Sequence, residues 1–174
     1  MVSDSPRSTE HADLQGSLAE HLTKRYQGKP FVLTEIALSG SFSDAGRLDV
    51  VAAWNTAGYG RTTVFGYEVK ASRADLLQDV RSAKFRKYLV QVDRLFFAFP
   101  AELAAVDEIP LECGVLVRNS FGLWTQLRRA QPQVRADDGS VGWRIAWRLR
   151  QQLSAAEDRA VYAEARARLL QSPS

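Results

Sequence analysis

Residues 47–70 read RLDVVAAWNTAGYGRTTVFGYEVK, and this stretch decides the fold of the chain. Residues 50–54 and 62–65 are rich in β-branched and aromatic side chains, which is typical of β-strands. Residues 55–61, which lie between them, have the polar and Gly-rich composition of a turn. The stretch therefore predicts a β-hairpin.

The register of this hairpin follows from the position of its turn. We place the centre of the hairpin between Gly58 and Tyr59. Asp49 then lies directly opposite Glu68, and the Cβ atoms of such a pair are roughly 4.5–5.5 Å apart. Lys70 is on the same face as Glu68, because side chains alternate along a strand. Unless a bulge shifts the register, two carboxylates and one ammonium group come together.

The chemistry of these three groups suits a divalent cation beside a phosphodiester. Mg²⁺ takes hard oxygen ligands and keeps several waters, so one or two carboxylates and a substrate phosphate suffice. The ion acidifies a bound water and neutralises charge on the phosphate, and a lysine stabilises the developing oxyanion. The structural alternative is a cross-strand ladder of opposite charges at a sheet edge. The apolar opposite face of the hairpin favours a site.

The spacing of Asp49 and the tripeptide Glu68-Val69-Lys70 resembles the PD-(D/E)XK nuclease superfamily. A longer pattern is similar to the MmcB-like DNA repair proteins within that superfamily, over about residues 33–118. This pattern comprises RLDVVA at residues 47–52, YEVKASRAD at 67–75, Asp79, Lys84, Tyr88 and DRLFFA at 93–98. Leu48 replaces the proline that names the superfamily, and Lys84-x-x-x-Tyr88 replaces the Gln-x-x-x-Tyr helix motif of some relatives.

The resemblance implies an α/β fold with a three-layer, restriction-endonuclease-like core, in which helices flank a mixed central sheet. It implies a Mg²⁺ or Mn²⁺ site at Asp49 and Glu68, with the backbone carbonyl of Val69 as a further ligand. Lys70 would be the catalytic lysine, acting with the two carboxylates. The implied function is metal-dependent cleavage of DNA in repair. The alternative is a catalytically weak or inactive DNA-binding accessory protein.

A third acid near the metal is common in such sites, on either the first helix or the first strand. Glu35 lies on a strand predicted over residues 31–38, and periodicity places it with Leu33 on a partly apolar face. This placement favours an inward carboxylate. Glu20, on a helix predicted over residues 12–26, is the rival candidate.

The segment after the hairpin predicts a basic helix that runs from a Ser72 cap to about Gln91. Residues 70–94 carry seven basic and three acidic side chains, a balance that attracts a phosphate backbone. On a continuous helix Lys84 falls within the apolar arc, so we expect it to reach a carboxylate or a phosphate, with snorkelling as the alternative. The candidate DNA contacts are Lys84, Tyr88, Arg81, Lys87 and Arg73.

The chain of 174 residues has the length of one domain with a small extension. We expect disorder over residues 1–10, a nuclease-like domain over 11–130, and a linker with C-terminal helices packing on the domain over 131–174. Trp143 and Trp147 lie on one stripe of those helices. We expect them to pack on the domain, with a base-stacking platform as the alternative.

The composition indicates which class of partner the protein binds and in which cellular compartment it works. The formal net charge of +3 fits an anionic partner, here DNA. The single cysteine, Cys113, excludes an intrachain disulfide and is typical of a reducing compartment, so we expect a cytoplasmic protein. His11 and His21 cannot form a zinc site with one cysteine. No apolar run approaches membrane-spanning length, which predicts no membrane partner. The oligomeric state stays open, with a homodimer as one alternative.

Overall fold

The computed structural model describes residues 6–27, 30–36, 46–55, 62–135, 145–146 and 149. The elements along the chain are α1 (Pro6–Arg25), β1 (Phe31–Ile36), β2 (Leu48–Asn55), β3 (Thr62–Val69), α2 (Arg73–Arg81), α3 (Arg86–Leu89), β4 (Arg94–Pro100), β5 (Gly114–Arg118) and β6 (Trp124–Arg128), with a 3₁₀ turn at Val106–Glu108.

Within these described residues, six strands form one mixed sheet in the order β1-β2-β3-β4-β5-β6. The pairs β3–β4 and β4–β5 are parallel, and the other neighbours are antiparallel. A parallel pair needs a crossover connection, and α2 with α3 provides it between β3 and β4. Helix α1 covers one face of the sheet, while α2 and α3 cover the other. The predicted three-layer α/β fold is confirmed.

The register predicted for the hairpin is also confirmed. Val51 pairs with Gly66, and Val50 pairs with Tyr67. Both strands extend beyond the β-branched and aromatic runs, because β2 begins at Leu48 and β3 continues to Val69. The hairpin therefore carries its carboxylates at its open end, beyond the last regular pair.

Helix α1 is held on the sheet by an apolar stripe. Leu14, Leu18 and Leu22 repeat every four residues, which places them on one face of the helix. All three are buried against strand residues such as Val50 and Tyr67. Burial of a leucine side chain is worth roughly 1.5–3 kcal/mol, so this stripe anchors the helix and fixes the rotation of its polar residues.

The prediction of a single helix from Ser72 to Gln91 was wrong. Helix α2 ends at Arg81, and Ala83 adopts a left-handed conformation with φ of 53°. Ala83 N–H donates to the carbonyl of Val80, and Lys84 N–H donates to that of Asp79, each at 3.2 Å. These two bonds form a Schellman motif, which ends a helix. The position of Lys84 in an apolar arc assumed a continuous helix and was wrong too, because its side chain is about half exposed.

Helix α1 begins at Pro6, whereas the sequence predicted disorder through residue 10. Proline is tolerated in the first turn of a helix, because its missing N–H has no partner there in any case. Residues 101–105 form turns that lead to the 3₁₀ segment.

Little of the C-terminal region lies within the described residues. Ile145 is buried in the core on the α2 side of the sheet, and Leu149 packs against that core. Trp143 and Trp147 lie outside the described residues. Across the described ranges, no helix is long and apolar enough to cross a lipid bilayer.

Candidate active site

The carboxylate of Asp49 closes the open end of the hairpin. Its Oδ2 atom accepts a hydrogen bond from the backbone N–H of Val69 at 2.7 Å. The regular ladder between the two strands stops one residue earlier, at Val50 and Tyr67. A side chain therefore takes the place of a backbone acceptor, and this bond holds Asp49 next to the Glu68-Val69-Lys70 tripeptide.

Lys70 is buried between two acids. Its Nζ atom lies 3.4 Å from Oε2 of Glu68 and makes a closer ion pair with Oδ2 of Asp79, on α2. Glu68, Lys70 and Asp79 are all buried. No role was predicted for Asp79, although an acid three residues after the buried Leu76 lies on the inward face of the helix.

The electrostatics of the buried group follow from its packing. Burial raises the pKa of Glu68 to about 7, the charge of Asp49 adds to the rise, and Lys70 opposes it. Burial by itself lowers the pKa of Lys70, but the charges of Glu68 and Asp79 outweigh it and leave the pKa raised. Lys70 is therefore a permanent cation, while Glu68 binds a proton readily.

A second group of ligand atoms surrounds Asp49. His11, Glu35 and Asp49 each offer one atom, and these three atoms all lie within 4.8 Å of one another. Nε2 of His11 is 3.4 Å from Oδ1 of Asp49. The side-chain amide of Gln15 donates to Oε1 of Glu35 at 2.9 Å and to the backbone carbonyl of Asp49 at 2.7 Å. Helix α1 thus organises the side of Asp49 that faces away from Val69.

Glu35 reaches Asp49 through a local distortion of β1. Thr34 pairs with Val50 and Ile36 pairs with Leu48, but Glu35 adopts a φ of 54° between these pairs. A left-handed residue costs roughly 1–2 kcal/mol when it is not glycine, and it turns the Glu35 side chain out of the strand's alternation. The rival candidate Glu20 is exposed and pairs instead with Lys24.

The structure brings Asp49, Glu68 and Lys70 into one region, as the hairpin register predicted. It places the candidate Glu35 next to Asp49 and adds His11, which was not a candidate. Glu68 is not a member of the group within 4.8 Å. Sequence reasoning missed His11. Its signal was helical spacing, because His11 lies one turn before Leu14 on the face of the buried leucines.

A cleft of about 410 Å³ opens beside these groups, between α1, the end of β3 and α2. Its lining residues are Glu10, His11, Val69, Lys70, Ala71, Ser72, Asp75, Gln78, Asp79 and Lys84. The cleft therefore runs from His11 and Val69, which contact Asp49, to Lys70 and Lys84.

The predicted DNA contacts differ in their exposure. Arg81 is exposed at the end of α2, and Lys84, on the cleft, has its Nζ atom 3.7 Å from Oδ1 of Asp79. Lys84 thus reaches a carboxylate, one of the two outcomes that the sequence predicted. Lys87 is half-buried, with its Nζ atom 5.0 Å from the centroid of the Tyr88 ring.

Two of the predicted DNA contacts are engaged within the protein. Tyr88 is buried, and its hydroxyl donates to the backbone carbonyl of Arg47 at 3.2 Å. A direct contact between Tyr88 and DNA was therefore a wrong expectation, because the side chain faces the core. Arg73 makes a bidentate pair with Glu108, with N–O distances of 2.5 and 3.0 Å, which neutralises much of its charge.

Comparison with known proteins places the sequence in a family. The family model of the DNA repair protein MmcB-like group matches residues 22–158. No curated protein matches the sequence. A solved structure of a protein of unknown function from Silicibacter pomeroyi aligns with a TM-score of 0.67 and 24% identity, over 90% of this chain and 95% of that chain. That likeness shows the fold alone. Because the family match covers most of the chain, the chain belongs to the MmcB-like family of DNA repair proteins.

Proposed function

We propose that this protein is a metal-dependent DNA nuclease of the PD-(D/E)XK type, which cleaves phosphodiester bonds in DNA repair with Mg²⁺ or Mn²⁺. The observation that carries the proposal is the meeting of Asp49, Glu68 and Lys70 where β2 and β3 end, beside a polar cleft. A DNA-binding surface alone has no need of this trio. Membership of a DNA repair family agrees with DNA as the substrate.

The residues present fit a hard divalent cation. Oε1 of Glu68 is buried and has no hydrogen-bond partner among the described residues. A buried carboxylate oxygen without a partner is costly, and a cation would satisfy it. Asp49 and Glu68 supply the oxygen ligands that Mg²⁺ and Mn²⁺ accept. The Val69 carbonyl is a further proposed ligand, since Val69 lines the cleft.

Lys70 would act as a fixed positive charge rather than as a base. A bound ion would supply an acidified water and neutralise charge on the scissile phosphate. Lys70 has a raised pKa and is held by Asp79, so it keeps its proton at neutral pH. A preorganised ammonium group stabilises the charge that develops on the phosphate oxygens in the transition state. Glu68 also approaches Lys70, with 3.4 Å between Oε2 and Nζ, and this contact would help to hold the ammonium group in place.

The DNA backbone would run from the cleft across the turn between α2 and α3. Lys84 lines the cleft and Arg81 lies exposed beside it. Contacts from such cations neutralise phosphates without reading sequence. This surface therefore fits a repair enzyme that acts on many sequences.

One observation favours the second candidate function, a DNA-binding accessory protein without cleavage activity. Lys70 is already paired with two carboxylates. A lysine that kept both pairs when DNA binds would not reach a phosphate. The two candidates differ in whether DNA and metal draw Lys70 from Glu68.

The test is a survey of DNA substrates with purified, tag-free protein. Labelled single-stranded, duplex and branched DNA would be incubated with Mg²⁺, Mn²⁺ or a chelator, and the products resolved on denaturing gels. We expect metal-dependent strand scission on at least one substrate, and none with the isosteric Asp49→Asn variant. Tight DNA binding without scission on all three substrates would establish the accessory function instead.

A further inference from the structure

We propose that His11 supplies a nitrogen ligand to a cation held by Asp49 and Glu35, so that the site prefers Mn²⁺ to Mg²⁺. This inference deepens the proposed function, because it rests on the same metal site. It goes beyond that function in naming a ligand from outside the matched family region, which begins at residue 22. It also predicts which metal the protein uses.

The geometry of the three donors supports this role. His11, Glu35 and Asp49 each offer one ligand atom, and these three atoms lie at most 4.8 Å from one another. Ligands of a transition metal stand about 2 Å from the ion, so donors around one ion are at most about 4 Å apart. Small adjustments of these side chains would bring the three atoms around one ion. Two carboxylates and one imidazole form a mixed donor set rather than a plain acidic cluster. All three side chains are only half-buried, which leaves a path for an ion to enter.

A further observation concerns the adjacent carboxylate of Glu68. Glu68 is buried, and its Oε1 atom has no hydrogen-bond partner among the described residues. Asp49 accepts a hydrogen bond from the backbone N–H of Val69, the residue next to Glu68, so the two carboxylates are neighbours at the open end of the hairpin. A divalent ion beside Asp49 would offset the repulsion between these two carboxylates.

The surroundings of the three donors resemble the outer shell of a metal site. Gln15 donates to Oε1 of Glu35 and to the backbone of Asp49, which fixes both acids and leaves further carboxylate oxygens for a metal. Outer partners of this kind orient ligands and commonly change metal affinity by about 10–100-fold. His11 and Gln15 are one helical turn apart, so the same face of α1 supplies a ligand and its support.

Ligand chemistry then sets the choice of metal. Mg²⁺ is bound by oxygen and keeps a rigid octahedral shell of waters. Imidazole nitrogen is a better ligand for first-row transition metals than for Mg²⁺, and Mn²⁺, although the weakest binder of that row, shares this advantage over Mg²⁺. A histidine in the shell would therefore add affinity for Mn²⁺ and little for Mg²⁺.

Pulsed electron paramagnetic resonance of bound Mn²⁺ tests the proposal directly. A coordinated imidazole nitrogen modulates the Mn²⁺ spin echo, whereas carboxylates and water do not produce this nitrogen signal. The chain has two histidines, so tag-free protein offers two sources. We expect the nitrogen signal in the wild-type protein and in His21→Gln, and its loss in His11→Gln.

Calorimetry without DNA gives a second readout. We expect His11→Gln to weaken Mn²⁺ binding by about tenfold or more, while Mg²⁺ binding stays within about twofold. His11→Ala serves as the second variant, and circular dichroism would verify that each variant is folded. A wild-type spectrum without the nitrogen signal overturns the proposal, whether or not the variants fold.

The outcomes separate this inference from the proposed function. If the nitrogen signal depends on His11 but the protein cleaves no DNA, His11 is a metal ligand and the proposed nuclease function is wrong. Mn²⁺-dependent cleavage without a nitrogen signal keeps the nuclease and overturns the role of His11. Absence of Mn²⁺ binding at millimolar concentration overturns the role of His11, as does equal loss of Mg²⁺ and Mn²⁺ affinity in His11→Gln.

Discussion

The backbone N–H of Val69 donates to Oδ2 of Asp49 at 2.7 Å across the open end of the β2–β3 hairpin. Val69 lies between Glu68 and Lys70 in the chain, so this one bond fixes Asp49 relative to both. The α1 side of Asp49 faces His11. The acid thus connects the buried ion pairs on the α2 side to the half-buried ligand group on the α1 side.

We expect divalent cations to stabilise the folded protein through Asp49. A ligand at one hundred times its dissociation constant raises the free energy of unfolding by about 2.7 kcal/mol. Asp49→Asn keeps an oxygen that can accept the Val69 N–H but removes the charge that an ion requires. Scanning calorimetry with Mn²⁺ and with a chelator should show a rise in Tm for the wild type and none for the variant. An unchanged rise in Asp49→Asn would place the ion elsewhere.

The pH dependence of stability should report on Glu68. Burial raises its folded-state pKa from 4.5 to about 7. Between these values the folded state keeps a proton that the unfolded state has released, so the free energy of unfolding falls as pH rises. Each pKa unit corresponds to about 1.4 kcal/mol, which makes the expected loss a few kcal/mol.

Glu68→Gln should remove this loss, since an amide does not titrate. Urea unfolding in a chelator, at pH 5 and pH 8, would compare the two proteins. We expect Glu68→Gln to gain stability relative to the wild type at the higher pH. If the free energies of unfolding of the two proteins change with pH in parallel, the pKa of Glu68 is not raised and the prediction is wrong.

Replacement of Lys70 should affect turnover and leave DNA affinity nearly unchanged. One contact made mainly in the transition state is worth roughly 3 kcal/mol, or about a hundredfold in rate. Lys70→Ala also leaves Glu68 and Asp79 without their cation, and breaking a buried pair costs about 3–5 kcal/mol of stability. Assays therefore belong at a temperature where unfolding curves show the variant to be folded.

Lys24→Ala is the matched control for Lys70→Ala, because Lys24 pairs with Glu20 on the exposed face of α1. We expect wild-type rates and wild-type affinity in this control. Equal losses of affinity and rate in Lys70→Ala would make Lys70 an ordinary phosphate contact.

Lys84 and Arg81 should behave differently when each is changed to alanine. Arg81 is an exposed cation, so its loss should weaken binding to all sequences and lower the log–log salt slope by about one unit. Lys84 pairs with Asp79, which also holds Lys70. Lys84→Ala should therefore reduce turnover more than affinity. Matching salt slopes and matching rates in the two variants would contradict this division of roles.

The register of the hairpin could be predicted because it depends on local rules. A turn centred after Gly58 and strict alternation of side chains leave one pairing, and Val51 does pair with Gly66. Lys84 could not be placed, because the helix before it ends in a Schellman motif built on Ala83. Glycine is the usual residue at that position, and alanine gives no signal in the sequence.

The ligand group around Asp49 was only partly predictable for a related reason. Glu35 was a candidate, but its left-handed backbone conformation has no local signature in the sequence. His11 approaches Asp49 only because the leucine stripe docks α1 on the sheet with a particular rotation. Such a contact depends on tertiary packing, which periodicity does not fix.

The nuclease proposal is tested most directly by the single-turnover rate of DNA cleavage at saturating protein. The rate would be measured with Mn²⁺, with a chelator, and for Lys70→Ala under conditions in which the same fraction of DNA is bound. We expect scission by the wild type that requires the metal and slows about a hundredfold without Lys70. Fully bound DNA that stays intact with Mn²⁺, or that is cleaved equally fast by Lys70→Ala, would contradict the proposal.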